Sequence, residues 1–336
     1  MVDVSAEAGY AYSKSNTVSN REATMADKTE RTYRSADGVT DIHACCWMPD
    51  DHNPRAILQI SHGMLEFVDR YDSFAGYMAK QGFLVVGHDH LGHGLSVRSE
   101  QDWGYFTAGD GSEILLQDLH TLRTLTRQEY PGIPYFMLGH SMGSFILRRY
   151  LMEYGEGLTG AIISGTGYKA EALADVFLAV CRVLAALHGW NCRSRLAKEL
   201  FFSGSFHKFD MDGTHPENSW LTSDSDIVRC YYADPRCTFP FTVSGYYTIT
   251  RLLKNIQRPE NIAKTPQALP LLFVSGADDP VGEFGAGVRK VCELYRGAGH
   301  GKLELKLYPQ ARHEVLNEKK RLEYWQEILN WCCDLI

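Results

Sequence analysis

Residues Pro134–Tyr150 read PYFMLGHSMGSFILRRY. Tyr135–Leu138 is an apolar run of strand length, and from Phe145 to Leu151 the apolar positions and two arginines fall at helical spacing. Between them, Gly139-His140-Ser141-Met142-Gly143 matches G-x-S-x-G in the strand–turn–helix setting the motif requires. So tight a turn leaves no room for a side chain at Gly139 or Gly143 and puts Ser141 on strained backbone, its Oγ clear of the sheet. The N-terminus of the following helix then aims its N–H groups at negative charge developing beside Ser141. A Gly/Ser turn between any strand and helix would read the same over these five residues, so the rest of the chain has to decide.

Outward from this stretch, Ala56–Ser61 (AILQIS) is a buried strand ending in His62-Gly63-Met64. Arg70–Gln81 has helical spacing and stops at Gly82, where a helix C′ glycine belongs. Phe83–Gly87 is another strand, followed by a run rich in His and Gly from His88 to Ser96. Glu113–Gln128 reads as a helix and Leu158–Ser164 as a strand, while Arg31–Arg34 and Ile42–Trp47, joined by Ala36-Asp37-Gly38, read as an antiparallel hairpin. After Gly165 the rhythm breaks into an irregular helical pattern. It resumes with a strand at Leu269–Val274, a helix Gly285–Arg296, a strand Leu303–Leu307 and a helix Arg321–Cys333. This alternation implies an α/β fold, a mostly parallel sheet with helices on both faces, built from residues 31–165 and 260–336 and interrupted by a helical cap at 166–259. Residues 1–30 are polar and lack the apolar core of a signal peptide, so a disordered or irregular extension is expected there.

With 336 residues, 44% hydrophobic and 22% charged, the composition is that of a globular protein with one large core. A formal charge of −7 argues against a nucleic-acid partner, which would call for a basic face. Nine cysteines without any C-x-x-C read as reduced thiols, which implies a cytoplasmic setting. The apolar stretch Ala174–Leu187 is broken by Asp175 and Arg182 and falls short of the roughly 20 residues that span a bilayer.

Ester hydrolysis through a serine needs a nucleophile, a base, a carboxylate that orients the base, and N–H donors for the oxyanion. The order Ser, Asp, His expected on this scaffold is met by Ser141, Asp279 and His313. Asp279 closes the run Gly276-Ala277-Asp278-Asp279 after a core strand. It is preferred to Asp278 because Pro280 turns the chain sharply behind it. His313 lies in the loop after the last strand. The second oxyanion donor is expected in His62-Gly63-Met64, so the backbone N–H groups of Met64 and Met142 would form the pair. His88, Asp89, His90 and His93 invite a metal reading, but a nucleophile is already supplied. They are read instead as a tight loop in which Asp89 and His93 brace backbone near the oxyanion turn, and neither metal nor cofactor is expected.

Five ordered motifs now stand together: SHGMLEFVDRY (61–71), GHDHLGHGLS (87–96), GHSMGS (139–144), SGADDPVG (275–282) and YPQARHEVLNE (308–318). Over residues 31–336 the chain resembles the monoacylglycerol lipase and lysophospholipase group of α/β-hydrolases, in particular its bacterial members. The resemblance implies an eight-stranded hydrolase sheet and a cofactor-independent serine esterase. Its nucleophile would be Ser141, its acid Asp279, its base His313, its oxyanion donors Met64 and Met142, and its substrate a monoacyl lipid-like ester. Group members often carry a small residue in place of Leu65 and a histidine in place of Phe67, so a greasier entrance, less suited to a glycerol head group, is expected here. In the cap, Phe177, Val180 and Leu184 belong to a helix with almost no polar face, which serves as acyl-chain wall, lipid-touching lid at a membrane surface, homodimer contact or simple cap core. Tyr232 and Phe241 are candidates for the pocket floor or for packing. Fold and triad leave a short-chain esterase, thioesterase or peptidase open, along with a binding protein on the same scaffold.

Overall fold

A computed structural model describes residues 27–336. Eight strands, β1 (Asp27–Arg34), β2 (Asp41–Met48), β3 (Ala56–Ser61), β4 (Phe83–His88), β5 (Tyr135–His140), β6 (Gly160–Ser164), β7 (Leu271–Gly276) and β8 (Leu303–Tyr308), form one sheet in the order β1-β2-β4-β3-β5-β6-β7-β8. Only β1–β2 and β2–β4 pair antiparallel; the rest of the sheet is parallel. The central strands β3 to β7 are buried along their whole length, which is why they read as unbroken apolar runs.

Alternate residues of each strand feed two cores. Tyr135 and Met137 of β5 face a layer made by α2 (Ser112–Glu129), α3 (Met142–Tyr154), α8 (Val243–Ile256) and α10 (Ala286–Gly297). Phe136 and Leu138 face α1 (Asp72–Lys80) and α11 (Arg321–Cys333). Phe136 lies between the rings of Phe83 and Trp331, 6.2 Å from each, and truncating such a side chain costs about 3–5 kcal/mol.

Between β6 and β7 the chain forms α4 (Glu171–His188), α5 (Arg195–Phe201), α6 (Ser225–Ala233), α7 (Pro235–Thr238), α8 and α9 (Pro259–Ile262), with no strand. Of these, α8 is buried on nearly every side because it packs on α4 as well as on α2 and α3, and so links the segment expected to be cap to the helical layer on the sheet.

The first strand begins before the expected boundary. Asp27–Glu30, assigned to an irregular extension, pair with Cys45–Met48, and Lys28 Nζ donates to Asp69 (2.8 Å) and Asp72 (2.9 Å). Those partners lie far along the chain, so local composition hides them; the remainder of that extension, 1–26, lies outside the described residues. No helix among the described residues is long and apolar enough to cross a membrane, and all nine cysteines are free thiols.

Candidate active site

Ser141 joins β5 to α3 with φ 53° and ψ −120°, a left-handed conformation costly for a residue with a Cβ. The elbow persists because its surroundings fix it. Ser141 N–H donates to Ser164 O at 2.9 Å, and Ser144 Oγ donates to Ser141 O at 2.6 Å. A Cβ at Gly139 would stand 2.4 Å from Gly143 O, and one at Gly143 only 2.0 Å from Ser61 O, so the turn presses directly on β3.

The turn after β3 lies over this elbow, close enough that a Cβ on Gly63 would sit 3.0 Å from Ser141 Cβ. His62 fixes its shape. Its Nε2 accepts from His90 N–H at 2.9 Å, which leaves the proton on Nδ1 to donate to Gly63 O at 2.7 Å. Burial, reinforced by His93, depresses the His62 pKa, in keeping with a neutral ring. Among the described residues, the N–H groups of Met64 and Met142 donate to no protein acceptor.

His313 is fully buried, and its Nδ1 lies 3.0 and 3.1 Å from the two carboxylate oxygens of Asp279. Asp279 also accepts from Val281 N–H (2.8 Å) and Ser275 Oγ (3.1 Å), while Asp278 is exposed. Burial by itself raises the Asp279 pKa, but His313 and these donors outweigh it and hold the carboxyl below its usual value. For His313, burial works against the charged ring; Asp279, then Glu314 and Glu66, outweigh it and move the pKa up. The His313 backbone is pinned by Trp220 O (3.4 Å), with the Trp220 ring 5.1 Å from the imidazole. Ser141 Oγ and His313 are not hydrogen-bonded to each other here, a looseness common before substrate binds.

Ser141, Met64, Met142 and His313 open onto one chamber of about 280 Å³, with Phe177 and Val180 in its wall and Asp279 behind the imidazole. Five other expected lining residues stand elsewhere. Leu65 packs beside the cluster of Phe67, Trp220, Leu221 and Tyr231, and Phe67 carries the Arg236 guanidinium 3.7 Å above its ring. Their apolar character therefore serves packing and does not grease an entrance. Leu184 packs against the main core, Phe241 is buried between Phe106, Phe239 and Tyr246, and Tyr232 covers Gly213. The chamber is walled instead by Phe145 on α3, Tyr168 and Lys169 after β6, Phe201, Phe202 and Phe206 around α5, Trp220, and Ile249 on α8. Sequence reading passed over the aromatic pair Phe201-Phe202, although neighbouring aromatics in an irregular segment were a usable signal.

In the histidine-rich loop, Asp89 does brace backbone: it accepts from Val68 N–H (2.8 Å), Leu95 N–H (2.9 Å) and His43 Nδ1 (3.0 Å). His93 does so too, more weakly: its Nδ1 lies 3.3 Å from Leu91 O, and its ring packs against His62 and among Phe106, Phe239 and Phe241. Among the described residues, the donor atoms close enough to share a cation are those of Glu30, His43 and Cys45, within 4.8 Å of one another on β1 and β2.

A family model described as serine aminopeptidase S33 matches residues 52–320. A monoglyceride lipase of Rattus norvegicus is 35% identical over 281 residues, covering 81% of this chain and 83% of its own. The chain belongs to the monoglyceride lipase family of α/β-hydrolases. Within that family, a monoacylglycerol lipase of Mycolicibacterium smegmatis is 28% identical over 308 residues, 90% of this chain and 96% of the relative. Among solved structures, a thermostable carboxyl esterase from Bacillus coagulans in complex with glycerol superposes with a TM-score of 0.82 at 31% identity, covering 93% of this chain and 99% of the other.

Proposed function

We propose that this carboxylic ester hydrolase cleaves monoacylglycerols through an acyl-enzyme on Ser141. The observation that carries the reading is the convergence, on one chamber, of a strained serine, an imidazole whose far nitrogen is held by a buried carboxylate, and two unengaged backbone N–H groups. With Nδ1–H donated to Asp279, His313 Nε2 is the atom free to take the Ser141 proton. Attack on the ester carbonyl puts negative charge on an oxygen that Met64 and Met142 N–H stabilise, each donor worth about 3 kcal/mol. The imidazolium then protonates the departing glycerol, and a water activated by the same nitrogen frees the fatty acid.

Residues 166–259, apart from α8, act as a cap over the chamber in this reading. On α4, Leu173 (60% exposed) and Val176 (64%) lie at the chamber rim, and Val183 (59%) and Leu187 (70%) continue the same stripe into solvent. Such a track suits an acyl chain sliding in from a lipid surface, and liposome flotation of Val183→Glu/Leu187→Glu tests it against homodimer formation by the same face.

Ser141→Ala is expected to abolish both monoacylglycerol turnover and labelling by a fluorophosphonate probe. Labelling that survives in this variant refutes the assignment. The family model's description raises a second reading, aminopeptidase activity, which needs a free carboxylate for the substrate ammonium. Glu66 and Glu314 are both engaged by Arg70, which leaves Glu283 as the chamber carboxylate able to meet an ammonium, and the rate on aminoacyl amides relative to monoacylglycerols, with and without Glu283→Gln, tests this reading.

A further inference from the structure

Beside the chamber lies a buried charge cluster that the reaction as described does not use. Glu66, on the turn that carries Met64, accepts from Gly63 N–H, from Tyr71 Oη (2.9 Å) and from Arg70 Nη1 (2.8 Å). Arg70 reaches across to Glu314, the residue after His313, with Nη1 to Oε1 at 2.8 Å and Nη2 to Oε2 at 2.7 Å. Asn317 steadies Glu314 Oε2 at 2.8 Å, and the Arg70 guanidinium covers the Tyr231 ring at 4.8 Å. The two carboxylates are 4% and 5% exposed.

We propose that Glu66, Arg70 and Glu314 are positioning residues: they set the distance between the oxyanion turn and the His313 loop, and their uncompensated negative charge favours the imidazolium formed in turnover. The inference rests on the assignment of Ser141 and His313 made above.

The charge count separates this from an ordinary buried ion pair. Burial raises the Glu66 pKa above its ordinary value, opposed by Arg70, Gly63 N–H and the Tyr71 hydroxyl, which all favour its carboxylate, while Glu314, its burial outweighed by Arg70, is held down at about 2. With Glu66 ionised, two carboxylates face one guanidinium and leave one negative charge buried, where lone charges are costly. The groups facing His313 are Asp279 on Nδ1, Glu314 and Glu66 with Arg70 between them, and His140, whose ring is 4.7 Å away. His140 is pushed down to about 3 by burial, helped by His313, and stays neutral. Arg312 is turned to the carbonyls of Glu217, Ser219 and Thr222, while Lys169 and Glu283 line the outer chamber. The group that gains positive charge during the cycle is therefore His313. The bridge also joins two loops that no strand ladder connects: one end grips the peptide just before the Met64 N–H, the other the residue just after the base.

Two variants separate the two roles. Glu314→Gln keeps the volume and an acceptor but removes the charge. It should lower kcat about tenfold with KM nearly unchanged and move the acid limb of the kcat/KM profile to lower pH by roughly half a unit or more. Tyr71→Phe loosens Glu66 without changing charge and should lower kcat severalfold with the limb unmoved. A wild-type limb and kcat in folded Glu314→Gln, or wild-type kcat in Tyr71→Phe, overturns the proposal. If Glu314→Gln does not fold, the Tyr71→Phe result decides alone. Fluorophosphonate labelling is run in parallel: wild-type protein that is not labelled at Ser141 refutes the functional reading, whereas labelled variants with wild-type kinetics refute only the bridge.

Discussion

Asp279→Asn is a near-isosteric change whose consequence follows from four hydrogen bonds. In the native site every partner of the carboxylate is a donor: Val281 N–H and His313 Nδ1 on Oδ1, Ser275 Oγ and His313 Nδ1 on Oδ2. An asparagine carbonyl oxygen is claimed by Val281 N–H, which cannot change role. The amide NH2 then faces the Ser275 hydroxyl, which can turn to accept, and His313 Nδ1 at 3.1 Å, where its N–H repels an Nδ1 proton and favours the tautomer in which Nδ1 accepts. The imidazole proton moves to Nε2, the nitrogen that has to receive the Ser141 proton. The base is disabled while the fold keeps its shape, and the loss expected for such a tautomer switch is ~10⁴-fold in kcat, or about 5 kcal/mol of transition-state stabilisation. Steady-state hydrolysis of a monoacylglycerol measures it, with thermal unfolding as the control. A variant within about tenfold of wild type, or an equal loss in Asp278→Asn, refutes the reasoning.

Across the His313 titration, activity and stability should depend on pH in opposite directions. Activity needs neutral His313, so it should fall as pH drops through a value above the ordinary 6.5. The Asp279–His313 pair stabilises the fold fully between the unfolded-state values of 3.8 and 6.5. That contribution is lost as pH rises through the raised histidine value or falls through the depressed carboxyl value, and the wild-type minus Asp279→Asn difference in thermal midpoint should trace that window. Gly143→Ala drives a methyl group into Ser61 O and should cost about 3 kcal/mol of stability together with nearly all activity, read by calorimetry and turnover. A Gly143→Ala protein as active as wild type would contradict the elbow geometry. Val180→Trp fills part of the chamber and should cut kcat/KM on long-chain monoacylglycerols about tenfold while sparing acetyl esters; equal losses on both would place the acyl chain elsewhere.

What could be read from the chain depended on how local the cause was. The strand Ala56–Ser61 and the helix Arg321–Cys333 fall where their periodicity puts them, because burial of those elements is written in consecutive residues. The triad candidates stood out for a similar reason: each lies in a turn or loop that follows a strand, marked by glycine or proline punctuation. The chamber wall was not. Phe177 and Phe241 look alike in sequence, yet one lines the chamber and the other fills the space between Phe106 and Tyr246, a choice made by tertiary packing. Glu66 and Glu314 went unread because two glutamates so far apart show no pattern until Arg70 is seen between them.

The conformation of Ser141 bears on how the protein fails under heat. Its left-handed backbone is disfavoured on its own by about 1–3 kcal/mol and is held in place by contacts with β3 and with the Ser164 carbonyl. Once those neighbours loosen, the turn relaxes downhill and the hydroxyl swings away from its station. Those neighbours are central strands of the sheet, so loss of activity on warming should coincide with loosening of the sheet itself, and one tense peptide ties the working ceiling of the protein to the melting of its core.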